Sequence, residues 1–413
     1  MVRTVPNARI SGKKPASCSR MRVFGTKGSR FAARSQRVMS QDKAARRKAR
    51  MMPFERRKTD NLSSKKDRVE EARVTTRLIQ GSSDISSLIE PYRRELLLHC
   101  YRLLGSLHDA EDAVQEAMLR AWRHFDTFTQ KGPGSLRTWL YTIATNTSLD
   151  ALKKRSPRTL PTAASPAWNP QRPVEPRGAE AFWLEPFPDS WLVEATENPE
   201  ARYTRHESVS LAFLTALQLL PSRQRAILLL SDVLDWRAVE IAQLLEISVG
   251  AVNSALHRAR VTLEKNYPSS QREMAQVHRA DAGTNTLLAR YLQAWETDDV
   301  DGLVALLTED ATLSMPPVPS WYQGREAIRT ILLAVLFPSG VQNRWRLSPT
   351  RANGQPAFVV YRADEATRSY RAFAIQVVTL DASRRDLRQV AEVTAFLGPE
   401  LVTSFGFPLQ LPQ

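Results

Sequence analysis

From Trp236 to Arg260 the chain reads WRAVEIAQLLEISVGAVNSALHRAR. Apolar residues recur at helical spacing on both sides of Glu246-Ile247-Ser248: Ile241, Ala242 and Leu245 before it, Val252, Leu256 and Ala259 after it. Two helices joined by so short a break form a helix-turn-helix, with the small Ala242 where they cross. Packing those faces together turns Ser248, Gly250, Asn253, Ser254, His257, Arg258 and Arg260 outward. The first of these would reach base edges in a major groove, and the arginines would meet phosphates. An ordinary helical hairpin with a polar face has the same spacing, so the pattern alone leaves both open.

The rest of residues 201–267 also reads as helix. Leu211, Leu214, Leu217 and Leu220 run to Pro221, and Gln224–Val233 is an apolar helix. Residues 84–155 form a second helical unit. Ile85, Leu88, Ile89, Leu96, Leu97, Tyr101 and Leu104 share helical spacing, and a helix over Asp109–Trp122 gathers Ala110, Val114, Ala117, Met118 and Ala121 on one face. A third helix starts near Ser135, a good N-cap, and carries Leu136, Trp139, Leu140, Ile143 and Leu149.

Between these units, residues 156–200 hold nine of the 25 prolines and a net charge of −4. Such proline density favours extended chain and marks a linker. Trp168, Phe182, Trp183, Phe187 and Trp191 also fall here, so the linker should pack against something. Residues 284–410 change class. Helices at Thr286–Trp295, Val300–Leu307 and Gly324–Leu336 alternate with strands at Thr312–Met315, Arg344–Leu347, Ala357–Tyr361, Tyr370–Leu380 and Gln389–Phe396. This predicts an α+β domain with a curved antiparallel sheet.

The charge is uneven. Of the 58 Lys+Arg and 43 Asp+Glu in 413 residues, residues 1–75 hold 22 and 6, leaving 36 against 37 for the remainder. Residues 1–80 therefore read as a basic, disordered N-terminal arm. It is either a non-specific phosphate binder or a solvated tail, or else an upstream extension with the start at Met51 or Met52. Two cysteines, Cys18 and Cys100, exclude a disulfide framework and a multi-Cys zinc site. No uncharged apolar run nears the ~20 residues of a membrane span, and no apolar segment marks a secretory signal. A cytoplasmic protein is expected.

Two more stretches carry chemistry. Asp109, Asp112, Gln115 and Glu116 share one side of their helix, a stripe that is either solvated or a dock for a basic partner. Across 125–155, Phe125, Phe128, Trp139 and Tyr141 interleave with Lys131, Arg137, Lys153, Lys154 and Arg155. Aromatic platforms with a basic rim suit single-stranded nucleic acid. Trp139 and Tyr141 point to different faces, and Trp139 reads as structural.

The order of acidic helix, aromatic-basic helix, linker and helix-turn-helix resembles an extracytoplasmic-function sigma factor of the sigma-70 family. The matching segments are Asp109–Trp122, Ser135–Arg155 and Leu219–Leu263. Trp183-Leu184-Glu185-Pro186-Phe187-Pro188-Asp189 and Val252–Arg260 resemble the SigG-like branch, which carries a C-terminal SnoaL-like extension. Residues 315–325 and 352–357 resemble that extension, an NTF2-like cone. The resemblance implies a multidomain chain: two all-α sigma domains, namely a region 2 helical bundle and a region 4 helix-turn-helix, followed by the α+β cone.

It also implies partners and roles. Asp109, Asp112, Gln115 and Glu116 correspond to the helix that docks on the clamp coiled coil of core RNA polymerase. Asn146, with Arg137, Trp139, Tyr141, Lys153, Lys154 and Arg155 around it, corresponds to the segment that captures a flipped base of the promoter's −10 element. Residues 248–260 correspond to the −35 reader, and the linker would lie along the polymerase channels. An anti-sigma factor or a small-molecule ligand of the cone are further partners the family allows. Thr145 departs from the family, which often has Arg there, and the basic arm is a second departure. No metal, cofactor or catalytic residue is expected. Asp310, Glu326 and Glu392, near Trp321, Tyr322, Trp345 and Tyr361, are the candidates that an alternative cyclase or isomerase with a DNA-binding front end would need. A helix-turn-helix repressor is the other alternative.

Overall fold

The computed structural model describes residues 82–128, 135–153, 155–174, 183–192, 208–267, 282–338, 343–381 and 388–412. The basic arm expected over 1–80 lies outside the described residues, as do Phe182 and Lys154. After α1 (Ser82–Ile89), α2 (Arg93–Leu104), α3 (Leu107–Arg123) and α4 (Ser135–Leu152) pack on one another. Gly105 ends α2 in the left-handed region at φ 72°, and Ser106 caps α3 by accepting from Asp109 N. A Cβ on Gly105 would come within 2.6 Å of Leu184, so the linker seats against a helix corner that only glycine leaves open.

The next unit contains α5 (Leu211–Gln218), α6 (Ser222–Leu228), which continues as a π-turn to Val233, α7 (Ala238–Leu245) and α8 (Val249–Asn266). It packs directly on the first unit. Arg102 donates to Ser208, and Arg225, 2% exposed, donates to the carbonyl of Leu103 on α2 and to Gln218 and Leu220. Burial draws the Arg225 guanidinium down to about 10, which leaves it charged at neutral pH, its charge satisfied by carbonyl oxygens.

The C-terminal domain starts with α9 (Ala282–Glu296) and α10 (Val300–Ala305). Then come β1 (Leu307–Ser314), β2 (Trp321–Gln323), α11 (Arg325–Ile331), β3 (Trp345–Ala352), β4 (Gln355–Asp364), β5 (Ser369–Leu380), β6 (Val390–Leu397), α12 (Pro399–Ser404) and β7 (Gln410–Pro412). The strand order is β2-β1-β6-β5-β4-β3, with β7 on β5. The sheet is not wholly antiparallel as expected: β1 runs parallel to β6. A parallel pair needs a long crossover, here everything from β2 to β5. At the Val360/Tyr361 bulge, Phe373 falls out of register and turns to the inner face beside Trp345, 5.2 Å away.

Both sheet faces are covered. Phe358, Val360, Ala374 and Val378 face α9–α11. Val359, Tyr361, Ile375, Val377 and Phe396 face outward, and these residues belong to one hydrophobic cluster that continues through α2–α8 and the linker. Among its described residues the linker is mostly extended, with a helical turn at Pro161–Ala164 and a 3-10 turn at Asp189–Trp191. Trp183, Leu184 and Phe187 are buried, which accounts for aromatic residues in a spacer. In this structure the described part of the linker packs on its own chain.

The β3–β4 turn, Asn353-Gly354, is the point where everything meets. Asn353 is fully buried with φ 55°. Its Nδ2 donates to Tyr101 Oη and to the Val209 carbonyl, both at 2.8 Å, and its Oδ1 accepts from Phe187 N at 2.9 Å. Its backbone N donates to the Phe187 carbonyl at 2.9 Å. Gly354 N donates to Asp189 at 2.7 Å, and Tyr101 Oη donates to the Glu185 carbonyl at 2.7 Å.

Candidate nucleic-acid interface

In the helix-turn-helix, α7 ends at Glu246 with φ 53°, and Ser248 caps α8 by accepting from Ala251 N at 3.2 Å. The two helices are bent 104° apart, and neither is long and apolar enough to cross a membrane. Ile241, Ala242 and Leu245 are buried against Val252, Ala255 and Ala259, with Leu256 half-buried. Ser248, Gly250, Asn253, Ser254, His257, Arg258 and Arg260 are all exposed. Arg260 is held by both Asp232 oxygens, at 3.0 and 2.7 Å, whereas Arg258 makes no ion pair with a described residue. Val249 and Val261, 39% and 53% exposed, add apolar surface to the same helix that the polar pattern did not flag.

On α3 the acidic stripe divides. Asp109 sits 12% exposed between Arg155 and Arg158, the latter at 2.6 Å. Burial pushes its carboxyl up, but the two guanidinium bonds outweigh that and hold it below the ordinary carboxylate value. It is thus engaged inside the protein. Asp112 and Gln115 are exposed, and Glu116 is half-exposed and bonded to Arg120 at 2.7 Å. Leu119 and Trp122, 42% and 47% exposed, extend the same line at spacings of three and four. Neither was singled out from the sequence. The signal was present: both fall off the buried Ala110–Ala121 face.

On α4 most of the predicted set is occupied. Tyr141 is 1% exposed, covered by His99 at 5.0 Å and by Trp236 at 5.9 Å. Arg137 bonds both oxygens of Glu95 at 3.1 Å and lies 4.8 Å over the Tyr141 ring. Trp139 is half-buried against Phe125 and Phe128. Arg155 is on Asp109, and Lys153 is exposed beside Asp150. Asn146 is exposed. Thr145 is fully buried and meets His99 Nε2 at 2.9 Å. Burial, helped by Arg102 and Arg137, draws that imidazole down to about 3, so it is neutral and serves the core.

In the C-terminal domain the candidate carboxylates do not gather. Asp310 and Glu326 are exposed, on β1 and α11. Glu392 on β6 accepts from Thr394 Oγ1 at 3.3 Å, and burial pushes its carboxyl up. Inside the cone, Tyr291, Trp295, Leu303 and Leu332 help to enclose a residual cavity of about 10 Å³, room for one water at most. The linker packs on the loop that leads from β1 into β2. Trp168 N donates to Trp321 O at 2.7 Å, Trp321 Nε1 to Ser165 O at 2.8 Å and Trp183 Nε1 to Pro317 O at 3.1 Å.

Three family models match this chain: sigma-70 region 2 over residues 88–158, sigma-70 region 4 over residues 210–263, and a SnoaL-like domain over residues 288–385. The chain is 45% identical over 327 residues to the ECF RNA polymerase sigma factor SigG of Mycobacterium tuberculosis, covering 79% of this chain and 84% of that one. It is 30% identical over 187 residues to the ECF RNA polymerase sigma factor SigW of Bacillus subtilis, 45% of this chain and 90% of that one. Among solved structures, the crystal structure of the Mycobacterium tuberculosis extracytoplasmic function sigma factor SigJ aligns at 23% identity with a TM-score of 0.47, over 78% of this chain and 99% of that one.

Proposed function

The chain belongs to the extracytoplasmic-function RNA polymerase sigma factors, and from that premise we infer which of its surfaces do the work of binding core polymerase and reading a promoter. The observation that carries the assignment is the presence of two separate exposed faces on the two sigma regions. On α8, Asn253, Ser254, His257 and Arg258 face outward from a well-packed helix-turn-helix. They are the −35 reader: amide and hydroxyl groups for base edges, and Arg258 for a guanine or a phosphate. On α3, Asp112, Gln115, Glu116, Leu119 and Trp122 form the polymerase dock. An apolar centre excludes water, and the acidic end steers toward a basic partner. Asn146 is the residue of α4 best placed to receive a base of the melted −10 element.

Each DNA contact alone is weak. Holding both on one polymerase makes the second contact intramolecular, so the pair acts bivalently. The two elements lie apart on DNA, whereas here the two sigma regions touch through Arg225, Arg102 and the Tyr141–Trp236 contact. This is a closed state, and the C-terminal domain modulates activity by holding it shut through Asn353. The chain works in the cytoplasm, with polymerase and chromosome.

Run-off transcription tests this. Core polymerase supplemented with the full-length chain should initiate from a cognate promoter, and Arg258→Ala should reduce that initiation. A chain that never joins core polymerase, or joins it and opens no promoter, is not acting as a sigma factor.

A further inference from the structure

An open trough of about 1010 Å³ lies at the end of the sheet where β3 and β5 start and β4 ends. Four arginines from three adjacent strands and their approaches line it: Arg344 and Arg346, Arg362, and Arg371. Asp364 and Glu365 also line it, so cations outnumber anions two to one. Asp364 is committed to Arg371 at 2.6 Å and to the amide of Ala366 at 3.1 Å. Arg346 is only loosely paired, at 3.8 Å from Glu296. Arg344 and Arg362 rest on aromatic rings, 5.5 Å from Trp345 and 5.4 Å from Phe373. A guanidinium whose face is covered in this way keeps its in-plane donors for oxygen acceptors such as phosphate.

Arg362 and Arg371 are cross-strand partners on the Trp345 side, whereas Arg346 pairs with Tyr361 on the opposite face, so the cations spread along the sheet end and do not converge on one point. The trough is open, and nothing in it encloses a small anion. Arginines spread along an open sheet end suit a repeating line of phosphates. The remainder of the chain past residue 75 is nearly neutral, so this patch is a local departure and not part of a general basic surface.

We propose that this trough binds the phosphate backbone of duplex DNA flanking the promoter elements. The proposal rests on the sigma-factor assignment, because it takes duplex DNA as the polyanion that the chain already meets. Holoenzyme made with the full-length chain is titrated onto a promoter fragment with a long upstream flank, and onto one trimmed close to the −35 element, at several salt concentrations. For Arg344→Gln/Arg362→Gln, affinity on the flanked fragment should fall several-fold, with a log–log salt slope shallower by about 1.8 for two lost phosphate contacts. The trimmed fragment should bind as before. Glu365→Lys, an exposed change in the opposite direction, should tighten binding to the flanked fragment only. Equal slopes for both chains overturn the proposal, and so does an equal loss on both fragments, which would point to a contact with polymerase. Failure of the wild-type holoenzyme to initiate at all would instead overturn the sigma-factor assignment.

Discussion

The side-chain amide of Asn353 donates to the phenolic oxygen of Tyr101 at 2.8 Å across 252 positions of sequence. Both residues are fully buried, and the same amide also reaches Val209 and Phe187. Four parts of the chain therefore share one carboxamide: α2, the linker, the entry to α5 and the β3–β4 turn. A buried donor or acceptor left without its partner costs about 1–3 kcal/mol, so the loss of several at once is concentrated at this junction.

Replacing Asn353 with Ala removes three side-chain hydrogen bonds and places a Cβ-bearing residue of poor left-handed tolerance at φ 55°. Stability should fall by about 2–4 kcal/mol. Asn353→Gly keeps the turn and loses only the hydrogen bonds. Thermal unfolding should order the chains wild type, Gly, Ala, and the Gly chain should initiate more transcription per bound holoenzyme. A Gly chain that melts with the wild type and is equally active would show that the junction is not a latch.

Asp109 and Asp112 should behave in opposite ways although they lie one helical turn apart. Asp109→Asn leaves Arg155 and Arg158 without their shared carboxylate and should lower stability by about 1–3 kcal/mol. Asp112→Arg is on the open face and should change stability by less than about 0.5 kcal/mol. It should nevertheless weaken capture of core polymerase about tenfold, as should Trp122→Ala. Melting curves beside pull-down titrations separate the two effects, and equal melting losses would refute the division of the stripe.

Arg258 and Arg260 also divide. Arg258→Ala should cost about 1–3 kcal/mol in promoter binding if it reads a base. Arg260, held by Asp232, should cost less. Quantitative footprinting of holoenzyme over the −35 element would show the difference, and the reverse order would reassign the reader.

Acidity should tighten one seam. His108 Nδ1 lies 2.9 Å from Glu185, and that hydrogen bond, opposed by burial and aided by the charges of Glu185, Glu111 and Glu400, raises the imidazole above its ordinary 6.5. A folded value above the unfolded one means the stabilisation is complete below pH 6.5 and is lost as pH rises through the folded value. The denaturation midpoint of the wild type should drop between pH 6 and pH 8 by more than that of His108→Gln. Half-exposure keeps the effect small. Parallel pH profiles for the two chains would rule it out.

The helices and the helix-turn-helix were legible because the 3.6-residue period is a local signal, written out in Ile241, Leu245, Val252 and Ala259. Pairing is not local. Nothing near Leu313 announces Val393 as its parallel neighbour, and the three-residue strands β2 and β7 are too short for a pattern. Accessibility on the sigma helices failed for the same reason. Tyr141 and Asp109 look outward from their own helices, but Trp236, far along the chain, covers the first, and Arg155 and Arg158, past the end of α4, cover the second. Leu119 and Trp122 were readable in principle, as bulky side chains on the wrong side of an amphipathic helix.

Asn353-Gly354 does two jobs with one pair of residues. Closing the hairpin requires a first residue comfortable at positive φ, which Asn, Asp and Gly supply. Joining the domains requires a short amide that both gives and receives. Only asparagine satisfies both demands: aspartate has no donor for Tyr101 and Val209, and glycine has no side chain at all. Drift at this position is thus policed twice over. A cone transplanted from another protein with a different tip would fold as well as before and still leave its host domains uncoupled.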